Sequence, residues 1–177
     1  AAPAAAWDFF PVEEIRRDTV TLRAGARLAG GPIAQVVAGA EELALAVCTA
    51  GAALSARVRQ LQQEGLRLRA VLLDELGSMA VDSVRQQVCR RLSAEAGAAG
   101  LHVSVSLSPG ESEWPLADQA VIFSLLDAAA IGVSLSPALL MSPLKSLTLA
   151  MGRGPGPLGG GQHGGEGGDY CVVRDRC

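Results

Sequence analysis

The sequence predicts an α+β domain in which a small sheet is covered by helices, and three observations carry that prediction. "LALAVCTAG" (residues 43–51) is a continuous apolar run of strand length that ends at Gly51. "GLHVSVSL" (100–107) and "IGVSLSPALLMSPLKSLTLAMG" (131–152) alternate apolar with small or polar residues, the period of half-buried strands. Between the first run and the second, residues 52–96 carry apolar side chains at three- and four-residue spacing, the period of helices facing a core.

Taken in order, "WDFFPVEEIRRDTVTLR" (7–23) joins an aromatic cluster to a charged turn, and Glu13, Glu14, Arg16 and Arg17 suit a short exposed helix start. Gly30, Gly31 and Pro32 punctuate the chain before Ile33, Val36 and Val37, which fit one helical face. After the 43–51 strand, Leu54, Val58 and Leu61 recur at helical spacing until Gly65 stops them. Residues 69–96 form the longest helical pattern, with a stripe through Leu73, Leu76, Ala80, Val84, Val88 and Leu92. Gly77 and Ser78 interrupt it, marking a close contact or a break. In the 100–107 strand Leu101, Val103, Val105 and Leu107 share a face. "SPGESEWPLADQAVIFSLL" is a loop followed by a helix from about Leu116 to Asp127, and residues 131–152 read as two short strands around a turn. Residues 155–177 are dominated by glycine and form an expected mobile tail behind a 1–154 domain.

At 177 residues the chain is one domain long and typically buries roughly 70% of its unfolded surface. Its hydrophobic fraction is 49% but its aromatic fraction only 3%, so the core must be Ala, Leu and Val, small side chains that let helices approach closely. Fifteen basic residues against eighteen acidic ones give a net charge of −3, which argues against an electrostatic grip on nucleic acid. No apolar run reaches the ~18 residues of a membrane span. The apolar start lacks the basic region of a signal peptide, so a cytoplasmic location is expected. The cysteines are Cys48, Cys89, Cys171 and Cys177, with no C-x-x-C pair; Cys48 and Cys89 read as buried free thiols.

Catalytic patterns are sparse. The two histidines, His102 and His163, fall on an alternating strand and in the glycine tail, with no triad partner pattern. Neither a Walker loop nor a dinucleotide fingerprint occurs. Cys171 and Cys177 with His163 make an incomplete set for zinc or iron. Asp74, Glu75 and Asp82 read as a solvated helix face. The more informative stretch is the turn dipeptide Pro109-Gly110, set between a strand and a helix and crowded by Glu111, Ser112 and Trp114, where loops carry ligand contacts. Lys145, the only lysine beside fourteen arginines, follows a Met-Ser-Pro-Leu turn.

Three segments, spanning about 43–154, resemble the activation domain of cobalamin-dependent methionine synthase. "LALAVCTAGAALSARVRQL" with "AVLLDELGSMAVDSV" resembles the family's strand ending in Ala-Thr-x-Gly and its Leu-Leu-Asp-x-x-Gly-Ser helix. "SLSPGESEWPLADQAVIFSLLDAAAIGVSLS" is similar to its Arg-x-Ser-Pro-Gly-Tyr loop, Pro-Leu-x-x-Gln helix start and Ile-Gly-Val-x-Leu-Thr strand. "LLMSPLKSLTLAMGRG" resembles Met-x-Pro-x-Lys-Ser and the strand after it.

The resemblance implies a C-shaped single domain with a twisted antiparallel sheet flanked by helices. It also implies S-adenosylmethionine held near Ser106, Ser108, Pro109, Gly110, Glu111, Lys145 and Ser146. The family's domain docks over cobalamin on a partner, a corrinoid protein or methionine synthase, while a flavodoxin-type or other reductase supplies the electron for reductive remethylation. The chemistry then belongs to the cofactors, and this chain is not expected to be active alone. It departs from the family at the loop: Ser106 stands where the family has arginine, and Glu111 where it has tyrosine. Serine cannot clamp a carboxylate, and Glu111 would repel one. Arg153 is a candidate substitute. The alternative expectation is a docking module that kept the fold and lost the ligand, and a third is a redox accessory using Cys171 and Cys177.

Overall fold

The structure, a computed structural model, describes residues 2–23 and 25–159. Its centre is β4 (Glu42–Thr49), where residues 43–48 are apolar at every position because both faces are covered. Leu43, Leu45 and Val47 enter one core, and Ala44, Ala46 and Cys48 enter another. β4 pairs antiparallel with β1 (Ala4–Ile15) on one side and β8 (Ser146–Gly154) on the other. β2 (Thr19–Leu22) and β3 (Arg27–Ala29) extend the sheet beyond β1, and β5 (His102–Val103) closes it beyond β8. The result is a curled six-stranded sheet of order β3-β2-β1-β4-β8-β5, antiparallel at every pairing.

The first face packs on α1 (Ile33–Val36) and α4 (Asp118–Leu125), joined by Trp114, Ile122 and Val133. The second face, floored by Ala44 and Ala46, takes the 32-residue helix α3 (Arg67–Ala98) through Val81, Val88 and Leu92. Small alanines on the sheet let this helix sit close. α2 (Ala52–Gln63) leans on the start of α3 through Val58, Leu61 and Ala70. A 3-10 turn (Ala128–Ile131) leads to a separate hairpin of β6 (Ser134–Leu135) and β7 (Met141–Ser142).

The α+β reading, the 43–51 strand, α2 and the long helix all agree with this fold. Four details change. The helix start expected in 7–23 is instead the strand β1: Trp7 and Phe9 point to the α3 face while Phe10 and Val12 pack on the other, a period of two. The 100–107 strand pairs regularly only at His102 and Val103 and touches β8 once more through Leu107 and Ala150. On α3 the core side runs through Ala70, Gly77, Val81, Val88, Leu92 and Ala96, whereas Leu76 is 57% exposed. At the other end the chain stays packed past Gly154: Leu158 is buried against α1, and Gly159 N–H donates to the Ala38 carbonyl at 3.1 Å. The rest of the expected glycine tail lies outside the described residues.

Candidate functional site

The Pro-Gly loop is a closed turn. Glu111 N–H donates to the Ser108 carbonyl (3.0 Å), Trp114 N–H to the Glu111 carbonyl (2.8 Å) and Gly110 N–H to the Trp114 carbonyl (2.8 Å). The Glu111 carboxylate turns back and accepts from Ser108 N–H at 3.0 Å. The loop therefore supplies its own anion to the Ser108 N–H. Ser112 and Glu113 adopt positive φ (49° and 67°), a conformation that costs non-glycine residues about 1–3 kcal/mol each. Something outside the loop must hold them there.

Trp114 provides the anchor. It is 1% exposed, and its indole N–H donates to Asp118 Oδ2 at 2.7 Å. The same oxygen accepts Ala29 N–H from β3 at 2.7 Å. Asp118 thus ties loop, helix α4 and sheet edge at one carboxylate, placed in the first turn of α4 where the helix end favours negative charge. Gly31, at φ +56°, lies so close beneath the loop that a Cβ would stand 2.6 Å from the Trp114 backbone, and one on Gly30 would stand 2.9 Å from the Pro115 ring. The pair read as punctuation is the seat of the loop. Gln119, the glutamine of the Pro-Leu-x-x-Gln pattern, donates to the Leu139 carbonyl at 3.0 Å and fixes the β6–β7 hairpin.

Upstream of the loop, Ser106 has an arginine after all. Arg85 of α3 donates from Nη1 to Ser106 Oγ at 3.0 Å and pairs with Asp82 through Nε and Nη2, both at 2.8 Å. Its side chain is 22% exposed, so the guanidinium is held and still reachable. The proposed substitute, Arg153, is committed elsewhere: it pairs with Glu42 through Nε (2.9 Å) and Nη2 and stacks over Phe9 at 3.8 Å. Cys89 packs near Ser106 and Arg85, and Cys48 lies across from it on β4. Both thiols are free, with Cys48 buried and Cys89 half-buried. Burial pushes Cys48 up to about 12, the nearby Cys89 adding to the shift, and burial also raises Cys89. Neither is a thiolate nucleophile at neutral pH. His102 is exposed, as a solvent-facing strand residue should be. His163, Cys171 and Cys177 lie outside the described residues, and the described ones contain no cluster that could hold a metal ion.

Lys145 and Ser146 form a second group. Lys145 Nζ reaches Asp74 Oδ2 (2.9 Å) and Ser78 Oγ (3.0 Å) on α3. Ser146 Oγ donates to Thr49 Oγ1 at 2.8 Å, or to the Pro143 carbonyl at 2.7 Å. Ala50 N–H donates to the Lys145 carbonyl at 2.8 Å, and Gly51 N–H to Thr49 Oγ1 at 3.0 Å. The Thr-Ala-Gly turn, the Asp-x-x-Gly-Ser helix segment and the Lys-Ser pair thus meet in one polar node. Asp74 is part of this node and Asp82 belongs to Arg85, so of the three acids only Glu75 stays a simple solvated charge. Ser146 is four residues along β8 from Ala150, which Leu107 contacts, a separation of roughly 13 Å at strand rise. The structure therefore divides the sequence-derived site residues: Ser106, Ser108, Pro109, Gly110 and Glu111 gather at the loop, while Lys145 and Ser146 lie at the far end of the strand.

Fold and site together define an α+β domain whose curled antiparallel sheet carries a long helix on one face and a tethered Pro-Gly loop beside its edge. A solved structure with this fold is the MetH reactivation domain bound to AdoHcy, which matches with a TM-score of 0.69 at 12% identity and covers 88% of this chain. The chain spans 59% of that protein's length. No protein-family model and no curated protein matches the sequence. The likeness establishes the fold of the family that the motifs resemble. Among the described residues no helix is long and apolar enough to cross a membrane.

Proposed function

We propose that this chain is a reactivation-type accessory domain that binds an adenosyl amino acid of the S-adenosylmethionine class beside its Pro-Gly loop. In this reading it supports reductive remethylation of cobalamin on a separate corrinoid protein or methionine synthase. The observation that carries the ligand reading is the Arg85–Ser106 contact. It brings a guanidinium from α3 to the position where the resembled family has its arginine, so a carboxylate clamp can come from a different element of the chain. Two guanidinium N–H groups remain beyond the three given to Asp82 and Ser106. The methyl transfer and the reduction belong to cobalamin and a flavodoxin-type or other reductase; the residues here bind and orient.

Calorimetric titration with S-adenosylmethionine and with AdoHcy tests this reading. Binding is expected in the wild type and should weaken about tenfold or more in Arg85→Ala, the loss of a charge-assisted hydrogen bond. Arg85→Lys should recover part of it at most, because lysine lacks the planar fork. Glu111 favours a second reading: its carboxylate already occupies Ser108 N–H, as in a loop that no longer needs a ligand. Absence of heat in the wild type, with retained capture of a corrinoid protein, would support that docking module.

A further inference from the structure

β1 is paired on one side at a time. From Ala4 to Pro11 it pairs with β4, and from Val12 to Ile15 with β2 on its other side. In an antiparallel ladder successive residues aim their N–H and C=O groups alternately toward the partner and away from it. Val12 N–H donates to the Glu41 carbonyl on the β4 side, while the Pro11 carbonyl accepts Arg23 N–H on the β2 side. Counting back by twos from Pro11, the backbone groups of Phe9, Trp7 and Ala5 turn outward, where no strand pairs with them. Phe9 N–H is met by its own neighbour and donates to Asp8 Oδ1 at 2.8 Å. Ala5 and Trp7 have no backbone partner on that edge among the described residues. A trough of about 390 Å³ runs beside it, lined by residues 5–8 and by Leu125, Leu126, Asp127 and Ala130. Side chains of consecutive strand residues alternate between faces, so a hollow that touches all four opens onto the edge itself. Its charged groups are Asp8 and Asp127, both exposed and neither in an ion pair among the described residues. Asp127 Oδ1 accepts Ala130 N–H at 3.1 Å.

We infer that this edge accepts an extended peptide segment carrying a basic side chain, which adds to the sheet as a strand beside β1. Outward N–H and C=O groups at every second residue fit another strand, and not a helix, whose own backbone groups are already paired. At about 3.3 Å per residue the edge from Ala5 to Phe9 is roughly 13 Å long, enough for about five residues of an incoming strand. Charge then selects among strands. Any strand must displace Asp8 from Phe9 N–H, and its own carbonyl takes that donor over. A lysine or arginine beside Asp8 gives the displaced carboxylate a new partner, with Asp127 across the trough adding to the attraction. An acidic strand meets two carboxylates instead, and a neutral one leaves Asp8 with nothing in exchange. Ala6 and Asp8 lie on the same face of β1 as Phe10, so strand residues opposite them point toward Leu125, Leu126 and Ala130, which suit apolar neighbours of the basic one. A second copy of β1 fits poorly on the same ground. Antiparallel pairing centred on Trp7, which uses all three outward residues, makes the two Asp8 side chains diagonal neighbours on one face.

Amide NMR on the labelled full chain, titrated with the capped peptide Thr-Val-Thr-Lys-Thr-Val-Thr to about 2 mM, tests the inference. The lysine peptide should shift the Ala5, Trp7 and Phe9 amides and slow hydrogen exchange at Ala5 and Trp7. The same peptide with glutamate in place of lysine should bind about tenfold more weakly or less. Asp8→Asn keeps an acceptor for Phe9 N–H and removes the charge, so it should narrow the gap between the two peptides. Asp8→Lys should reverse their order. Both substitutions are at an exposed position, and an unchanged circular dichroism spectrum checks that the sheet is intact. Absence of any shift with the lysine peptide overturns the inference, as does equal binding of the two peptides to the wild type. Shifts centred on Glu13, Glu14, Glu41 and Glu42 overturn it too, since those acids line a different hollow. So does protection of Ala5 and Trp7 that rises with protein concentration alone, which would make a second copy the occupant.

Discussion

The Lys145 node and the Pro-Gly loop are both made of residues from the resembled motifs, yet they are held in different ways. In the node, three distant segments meet and nearly every polar atom finds a partner in another segment: Asp74 with Lys145, Thr49 with Ser146, Ala50 with the Lys145 carbonyl. In the loop, the hydrogen bonds are local, from Ser108 to Trp114, and two residues are strained. Its order comes from one buried indole and two glycines beneath it. A motif that recurs with a fold can thus be scaffold, as at Lys145, or a shaped surface feature, as at Glu111. The pattern alone does not separate the two. The count of partners from other elements does.

Substitutions should fall hardest on the loop's anchor. Trp114→Ala removes a fully buried indole and leaves the Asp118 carboxylate with one partner fewer; a loss of about 3–5 kcal/mol in urea denaturation is expected, with the 108–114 loop released to protease. Gly31→Ala comes next, at about 2–4 kcal/mol, because the new Cβ meets backbone that cannot swing away and its φ is left-handed. In the node, Lys145→Met keeps the aliphatic stem and removes the charge. The lysine side chain is 15% exposed but Asp74 is 46% exposed, so water screens the abandoned carboxylate and the loss should be about 1–2 kcal/mol. Smallest is Gly77→Ala. The Cβ would meet the movable tip of Leu54, and alanine's helix propensity offsets the crowding, so a melting curve should move by the equivalent of less than about 1 kcal/mol either way. A node that proved more sensitive than the loop anchor would reverse this contrast between the two regions.

Much of the fold was legible because its strongest signals are periodic. The 43–51 run, α2 and α3 follow directly from where apolar residues recur. β1 was not, because Pro11, Glu13 and Glu14 look like helix punctuation when the aromatic residues before them are read as a cluster rather than as alternate positions. The core side of α3 was misplaced for a related reason: its first half has two apolar sides, and leucines outweigh Ala70 and Gly77 in any reading by hydrophobicity, although the small residues are the ones in contact. The loop was found from Pro109-Gly110, but Arg85 was not, since only folding brings a helix residue 21 positions upstream onto Ser106. Lys145 stood out by composition, and its true partner, Asp74, sat in a cluster that read as solvated surface.

The anchoring of Trp114 has an optical consequence. Of the two tryptophans, Trp7 lies partly exposed under the Arg91 guanidinium, 5.1 Å from its ring centroid, whereas Trp114 is enclosed with its N–H on a carboxylate. Their emission should differ in colour and in access to soluble quenchers, the blue, shielded component belonging to Trp114. Any molecule that seats against residues 108–113 pulls on the backbone directly attached to that indole. The loop therefore carries its own fluorophore, and occupancy can be followed in the unlabelled protein by light alone.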